Sequence, residues 1–179
     1  YFTQFATNFP NSKNAEEASY MRAYCNYLES PPSSLDQTVT YDAIKDLQLF
    51  INQYPKSERV AKANELIDEL RLKLETKAFE IAKLYFAMKD YKAAVINFQN
   101  LIKEYPDTKY REFAMFHIAK AYTYYAELSV ETKKGERYQL SSEAVDNFLA
   151  NFPESQYGKE ARQIQKNAQK ELQNLTILQ

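Results

Sequence analysis

Nucleophilic and metal chemistry draw on a small set of side chains, and this 179-residue chain holds one His, His117, and one Cys, Cys25. A nucleophile–His–acid arrangement would have to use His117. Phe113, Ala114 and Ala121 surround it in an apolar stretch, which reads as a structural helix residue. Cys25 reads as a small buried hydrophobe. One Cys forms no internal disulfide, and one His with one Cys makes no zinc cluster. Gly135 and Gly158 are the only glycines and stand apart, so no glycine-rich loop cradles phosphate. The 24 Asp and Glu are scattered among Lys and Gln on polar faces. A glycosidase would need two acids about 5–10 Å apart across a cleft, and no spacing singles out a pair. No catalytic, cofactor-binding or metal-binding residue is assigned, and no cofactor is expected.

Rings beside ammonium groups are more informative, since the chain has 15 Tyr and 11 Phe. At about 100° per residue, Phe116 falls with Glu112, Lys120, Thr123 and Glu127, away from the main apolar stripe. Such a ring with Lys120 suits a groove for a peptide bearing apolar and acidic side chains or a free carboxylate. The alternative is a ring packed against the next helix, and both readings stay open.

The elements that position these rings come from a repeat. Aromatic-Pro-x-Ser/Thr recurs as NFPNS, QYPKS, EYPDT and NFPES, with its prolines at 10, 55, 106 and 153. Before each Pro runs an apolar stripe: Leu47, Phe50, Ile51 and Tyr54; Phe98, Leu101, Ile102 and Tyr105; Val145, Phe148, Leu149 and Phe152. These are one face of a helix, and Phe2, Phe5, Ala6 and Phe9 give a further copy. After each Pro, Ser12, Ser57, Thr108 and Ser155 stand where a new helix needs a cap. Eight residues past each Pro comes Ala18, Ala63, Ala114 or Ala161, small enough for close helix approach. Aligning the repeats sets inserts of about 8, 14 and 10 residues and reduces every interval to about 37. The first is the loop SPPSSLDQ, a candidate contact; the last is SVETKKGERY, with 131–137 as a candidate docking tip.

Helices are therefore expected at 1–8, 12–29, 41–53, 57–89, 91–104, 108–128, 138–151 and 155–175, an all-α chain. The last should cap a repeat array. Tyr157, Ala161, Ile164, Ala168, Leu172 and Leu175 form its stripe, with Lys159, Arg162, Lys166 and Lys170 off it. A net charge of -1 gives no long-range field for nucleic acid. No apolar run reaches the ~18 residues of a membrane helix. The first residues already follow a helical stripe without a start signal, which leads to the expectation that an N-terminal part precedes them.

The unit at 77–106, with Ala82, Tyr85, Ala94, Phe98 and Pro106, resembles a tetratricopeptide repeat. That resemblance implies a right-handed superhelix (α-solenoid) of helix-turn-helix repeats forming one domain over 1–179. Its parts are 1–35 as the end of a truncated repeat, then 36–74, 75–128 and 129–179. It also puts Phe116 and Lys120 on the concave face. Phe79, Lys83 and Phe86 are their equivalents one repeat earlier, and Tyr20, Tyr24 and Tyr27 those in the first visible helix pair.

With its YP punctuation and the phrase AYCNYLESPPSSLDQT, the chain resembles the BamD family of outer-membrane lipoproteins over nearly all its length. The resemblance implies a non-enzymatic scaffold subunit at the periplasmic face of the outer membrane. It would hold the barrel-forming subunit and accessory lipoproteins, and take up unfolded barrel precursors. By that comparison the chain starts within the second of five repeats. The lipidated Cys would then lie in the part that precedes it, and Cys25 is not that residue. Another tetratricopeptide adaptor, recognising peptide tails of soluble partners, is the alternative.

Overall fold

The computed structural model describes Ser12 and residues 14–177. The expected helix 1–8 and the stripe of Phe2, Phe5, Ala6 and Phe9 lie outside the described residues. Among the described residues the chain is all-helical, with no strand. The helices are α1 (Ala15–Glu29), α2 (Thr38–Gln53), α3 (Val60–Ala87), α4 (Tyr91–Glu104), α5 (Arg111–Glu127), α6 (Glu131–Asn151) and α7 (Gly158–Ile177). They fall into two compact units, one up to Lys77 and one from Ala78, each with its own core.

The repeated stripe is the core. Leu47, Phe50, Phe98, Leu101, Val145 and Phe148 are almost fully buried, and Ile51, Tyr54, Ile102, Tyr105, Leu149 and Phe152 half-buried. All four expected Ala positions are buried. The aromatic before Pro55, Pro106 and Pro153 leaves the helical region, since proline crowds it there. Tyr54, Tyr105 and Phe152 have ψ of 60, 77 and 67°. Their carbonyls then accept from Ser57, Thr108 and Ser155 N–H at 3.0, 3.1 and 3.2 Å, closing a turn with Pro in the second place.

The capping expectation needs a correction of one turn. Ser12, Ser57, Thr108 and Ser155 each stand three residues before the helix start. Their hydroxyls accept from the N–H two residues on, at 3.2, 3.2, 3.1 and 3.0 Å. The hydroxyl organises a turn that leads into the helix instead of capping its first residue.

A second correction concerns 131–137, which is helix and not loop. Lys134 pairs with Glu131 at 2.6 Å and Lys133 with Glu136 at 3.6 Å, one turn apart. The Arg137 guanidinium lies 3.7 Å above the Tyr125 ring and donates to Ser129 Oγ. By contrast SPPSSLDQ is a loop, pinned from within. Buried Gln37 donates to the Pro32 and Leu35 carbonyls at 2.8 and 3.0 Å, and Lys73 Nζ donates to Ser30 Oγ at 2.7 Å.

Between α3 and α4 the chain turns on Lys89, at φ 64°. Lys89 N–H donates to the Phe86 carbonyl and Asp90 N–H to that of Tyr85, a Schellman ending with Lys where Gly is usual. Asp90 then caps α4 by accepting from Ala93 N–H at 3.1 Å.

Candidate partner-binding surface

In the first unit, Tyr20, Tyr24 and Tyr27 follow i, i+4, i+7 spacing on α1, so their rings stack along one face. Centroids are 5.9 Å apart for Tyr20–Tyr24 and 5.8 Å for Tyr24–Tyr27. Tyr20 is buried, edge-on to Phe50 at 5.3 Å and covered by the Arg59 guanidinium at 4.7 Å. Tyr24 and Tyr27 are half-buried. Tyr27 Oη donates to Glu69 at 2.6 Å, a bond that raises the phenol above its ordinary value. Cys25 is half-buried, less enclosed than the sequence suggests.

In the second unit, α3 carries Phe79, Lys83 and Phe86. Phe79 lies flat under Tyr110, centroids 3.9 Å apart, with Phe113 edge-on at 5.1 Å and Lys83 Nζ 5.0 Å from its ring centre. Lys83 also reaches Glu80 at 3.1 Å. Half-buried Phe86 meets Tyr91, His117 and Tyr124.

On α5, Phe116 is 1% exposed, stacked on Tyr157 at 4.5 Å and tilted against Phe148 at 5.7 Å. Its wheel position among polar residues misleads, because α4, α6 and α7 all pack on α5 and its buried residues run around the helix. Lys120 Nζ sits 5.7 Å from the Phe116 ring centre and pairs with Glu160 at 2.7 Å. Burial pulls that ammonium down, but the Glu160 hydrogen bond and the charges of Tyr124 and Glu160 outweigh it and leave its pKa raised.

His117 is stacked on Phe113 at 3.7 Å, with Nδ1 donating to the Phe113 carbonyl at 2.9 Å. Desolvation lowers its pKa, so it is neutral at pH 7. Ser141, standing where the repeat pattern has Ala, has its buried hydroxyl within 2.7 Å of Thr123 Oγ1 and 3.2 Å of the Ala119 carbonyl. Among the described residues no three His, Cys, Asp or Glu gather to hold a metal, and no helix is long and apolar enough to cross a membrane.

Two features were missed by reasoning on the sequence, and both are repeat positions. The residue four past the Pro, as Arg59, Tyr110 and Tyr157, covers the ring of Tyr20, Phe79 and Phe116. The motif hydroxyls of Ser57 and Ser155 donate to Glu16 at 2.5 Å and Glu112 at 2.6 Å, each six residues past the preceding Pro. Comparing the residues that follow each Pro, as was done for the Ala, would have found both.

A family model described as YfiO, outer membrane lipoprotein, matches residues 1–140. The chain belongs to that family. Its match runs from before α1 into α6, so the tyrosine ladder and the Phe79 stack lie on YfiO-family sequence, as does Phe116, while its partners Phe148 and Tyr157 lie beyond it. Two relatives are similar. An outer membrane protein assembly factor BamD of Caulobacter vibrioides is 26% identical over 119 residues, covering 66% of this chain and 39% of that protein. The BamD of Buchnera aphidicola is 31% identical over 81 residues, covering 45% of this chain and 33% of that protein. The matches thus span 33 to 39% of these relatives' length.

Proposed function

We propose that this YfiO-family chain is a non-catalytic scaffold in the assembly of outer-membrane β-barrel proteins. The observation that carries the reading is the family match over residues 1–140, joined by two relatives named as outer membrane protein assembly factors. In this reading its repeats form a superhelix at the periplasmic face of the outer membrane, held there by a lipid on a preceding N-terminal segment. It positions the barrel-forming subunit and accessory lipoproteins and receives unfolded barrel precursors.

The aromatic and lysine residues singled out from the sequence enter with unequal shares. Tyr24, Tyr27, Lys83, Phe86 and Lys120 keep exposed surface and meet partners directly. Tyr20, Phe79 and Phe116 are 7, 7 and 1% exposed, and act through the shape they give the helices. The lysines, each beside a ring, favour carboxylates on the partner.

The test is recovery of partners by the full-length tagged protein from detergent-solubilised envelopes, identified by mass. An outer-membrane barrel protein with periplasmic repeat domains is expected. Recovery of soluble proteins alone, or of none, overturns the assembly role.

A further inference from the structure

α2 carries two stripes, and the core of the first unit uses one of them. Thr40, Ala43, Leu47 and Phe50 are buried. Tyr41, Ile44 and Leu49 lie about 150° away around the helix, with Ile44 at the edge of the core. Tyr41 is 60% and Leu49 39% exposed. With Lys45 of α2 and Ile67 and Arg71 of α3 they line a groove of about 510 Å³. Neither Lys45 nor Arg71 forms an ion pair among the described residues.

The second unit shows what stands beside a groove in this place. Gln48, Ile67 and Arg71 hold the same places relative to Pro55 as Gln99, Ile118 and Tyr122 hold relative to Pro106. The latter line a cleft of about 530 Å³ whose far wall is α6, presented through Leu140, Glu143 and Ala144. Ala144 packs on the α4–α5 core, and Lys103 and Arg111 line the same cleft as Glu143. There α6 is an amphipathic helix standing against the α4–α5 face, with Leu140 and Ala144 flanked by Glu143 and with Lys103 and Arg111 on the same cleft. On the first unit's groove the lining comes from α2 and α3 alone.

We propose that the α2–α3 groove binds an amphipathic helix of a partner protein. Its Leu and Ala side chains, at i, i+4 spacing, seat on Tyr41 and Leu49, and flanking carboxylates reach Lys45 and Arg71. Uncompensated cations set around apolar surface select such a helix by sign of charge and disfavour a basic one. The proposal rests on the scaffold reading only in requiring a partner to hold.

The test uses the full-length protein and two fluorescent, side-chain-stapled helical peptides with the same Leu/Ala stripe, one flanked by Glu and one by Lys. Fluorescence anisotropy is expected to show the Glu peptide binding at least about tenfold tighter. The Lys45→Glu, Arg71→Glu double variant should reverse the order, and Leu49→Ala should weaken both. Circular dichroism melts of each variant check that the helices persist. Equal affinity of the two peptides, no binding of either at millimolar concentration, or unchanged preference in a folded double variant overturns the proposal. No assembly partner is present in this assay, so its failure leaves the assembly role standing, and failure of the envelope pull-down leaves the groove standing.

Discussion

Tyr157 lies flat on Phe116, with ring centroids 4.5 Å apart and planes 9° from parallel. The two rings join the turn after Pro153 to the middle of α5, and Tyr110 does the same for Phe79 across the turn after Pro106. Phe116→Ala should cost about 3–5 kcal/mol, as for a large aromatic removed from a closed core. A double-mutant cycle with Tyr157→Ala should leave a coupling of about 0.5–1.5 kcal/mol. Urea unfolding followed by circular dichroism measures both, and a coupling near zero would mean that each ring packs independently.

His117 sets a pH dependence. Desolvation, reinforced by the charges of Lys120 and Lys83, lowers its folded pKa below 6.5, against the pull of its bond to Phe113 and of Glu160. Below about pH 6.5 the unfolded chain therefore binds a proton that the folded chain resists, and stability falls as pH drops through that value toward the folded pKa. The slope approaches about 1.4 kcal/mol per pH unit between the two pKa values. Melting temperatures from pH 7.5 to 5.5 should decline for the native chain and decline less for His117→Gln; parallel curves would remove His117 as the cause.

Lys89 occupies a left-handed backbone position that costs an L side chain about 1 kcal/mol. Lys89→Gly should raise stability by about that amount, because the turn's hydrogen bonds use backbone alone. A denaturation midpoint that stays put or falls would show that the Lys side chain compensates elsewhere.

Gly135 lies inside α6, and a Cβ built there meets only Leu175 Cδ1, at 4.0 Å. Gly135→Ala should then stabilise by about 0.5–1 kcal/mol. Absence of any gain in thermal unfolding would argue that residues 131–137 do not stay helical in solution.

The repeat itself was legible because apolar residues recur on one helix face and proline forces the residue before it out of the helix. The stripe at Leu47 and Phe50, its copies and the Ala at 18, 63, 114 and 161 followed directly. The start of α6 was not legible, since Gly135 amid Lys, Glu and Arg has the composition of a solvated loop. Its helicity comes from pairs one turn apart and from Arg137 reaching back to Tyr125. Phe116 was legible as an unusual ring but not as a core residue, because a helical wheel knows one helix and Phe116 is enclosed by Phe148 of α6 and Tyr157 of the turn before α7.

α6 has 21 residues where α4, its counterpart in the preceding repeat, has 14. Seven residues advance a helix by about two turns, so Val145 and Phe148 still meet the core. A gain of five between two packed stretches of one helix would swing one through about 140° relative to the other. Length change within these helices is therefore quantised. Chains built on this plan can gain or lose about 4, 7, 11 or 14 residues inside a helix, and intermediate lengths must fall in the loops.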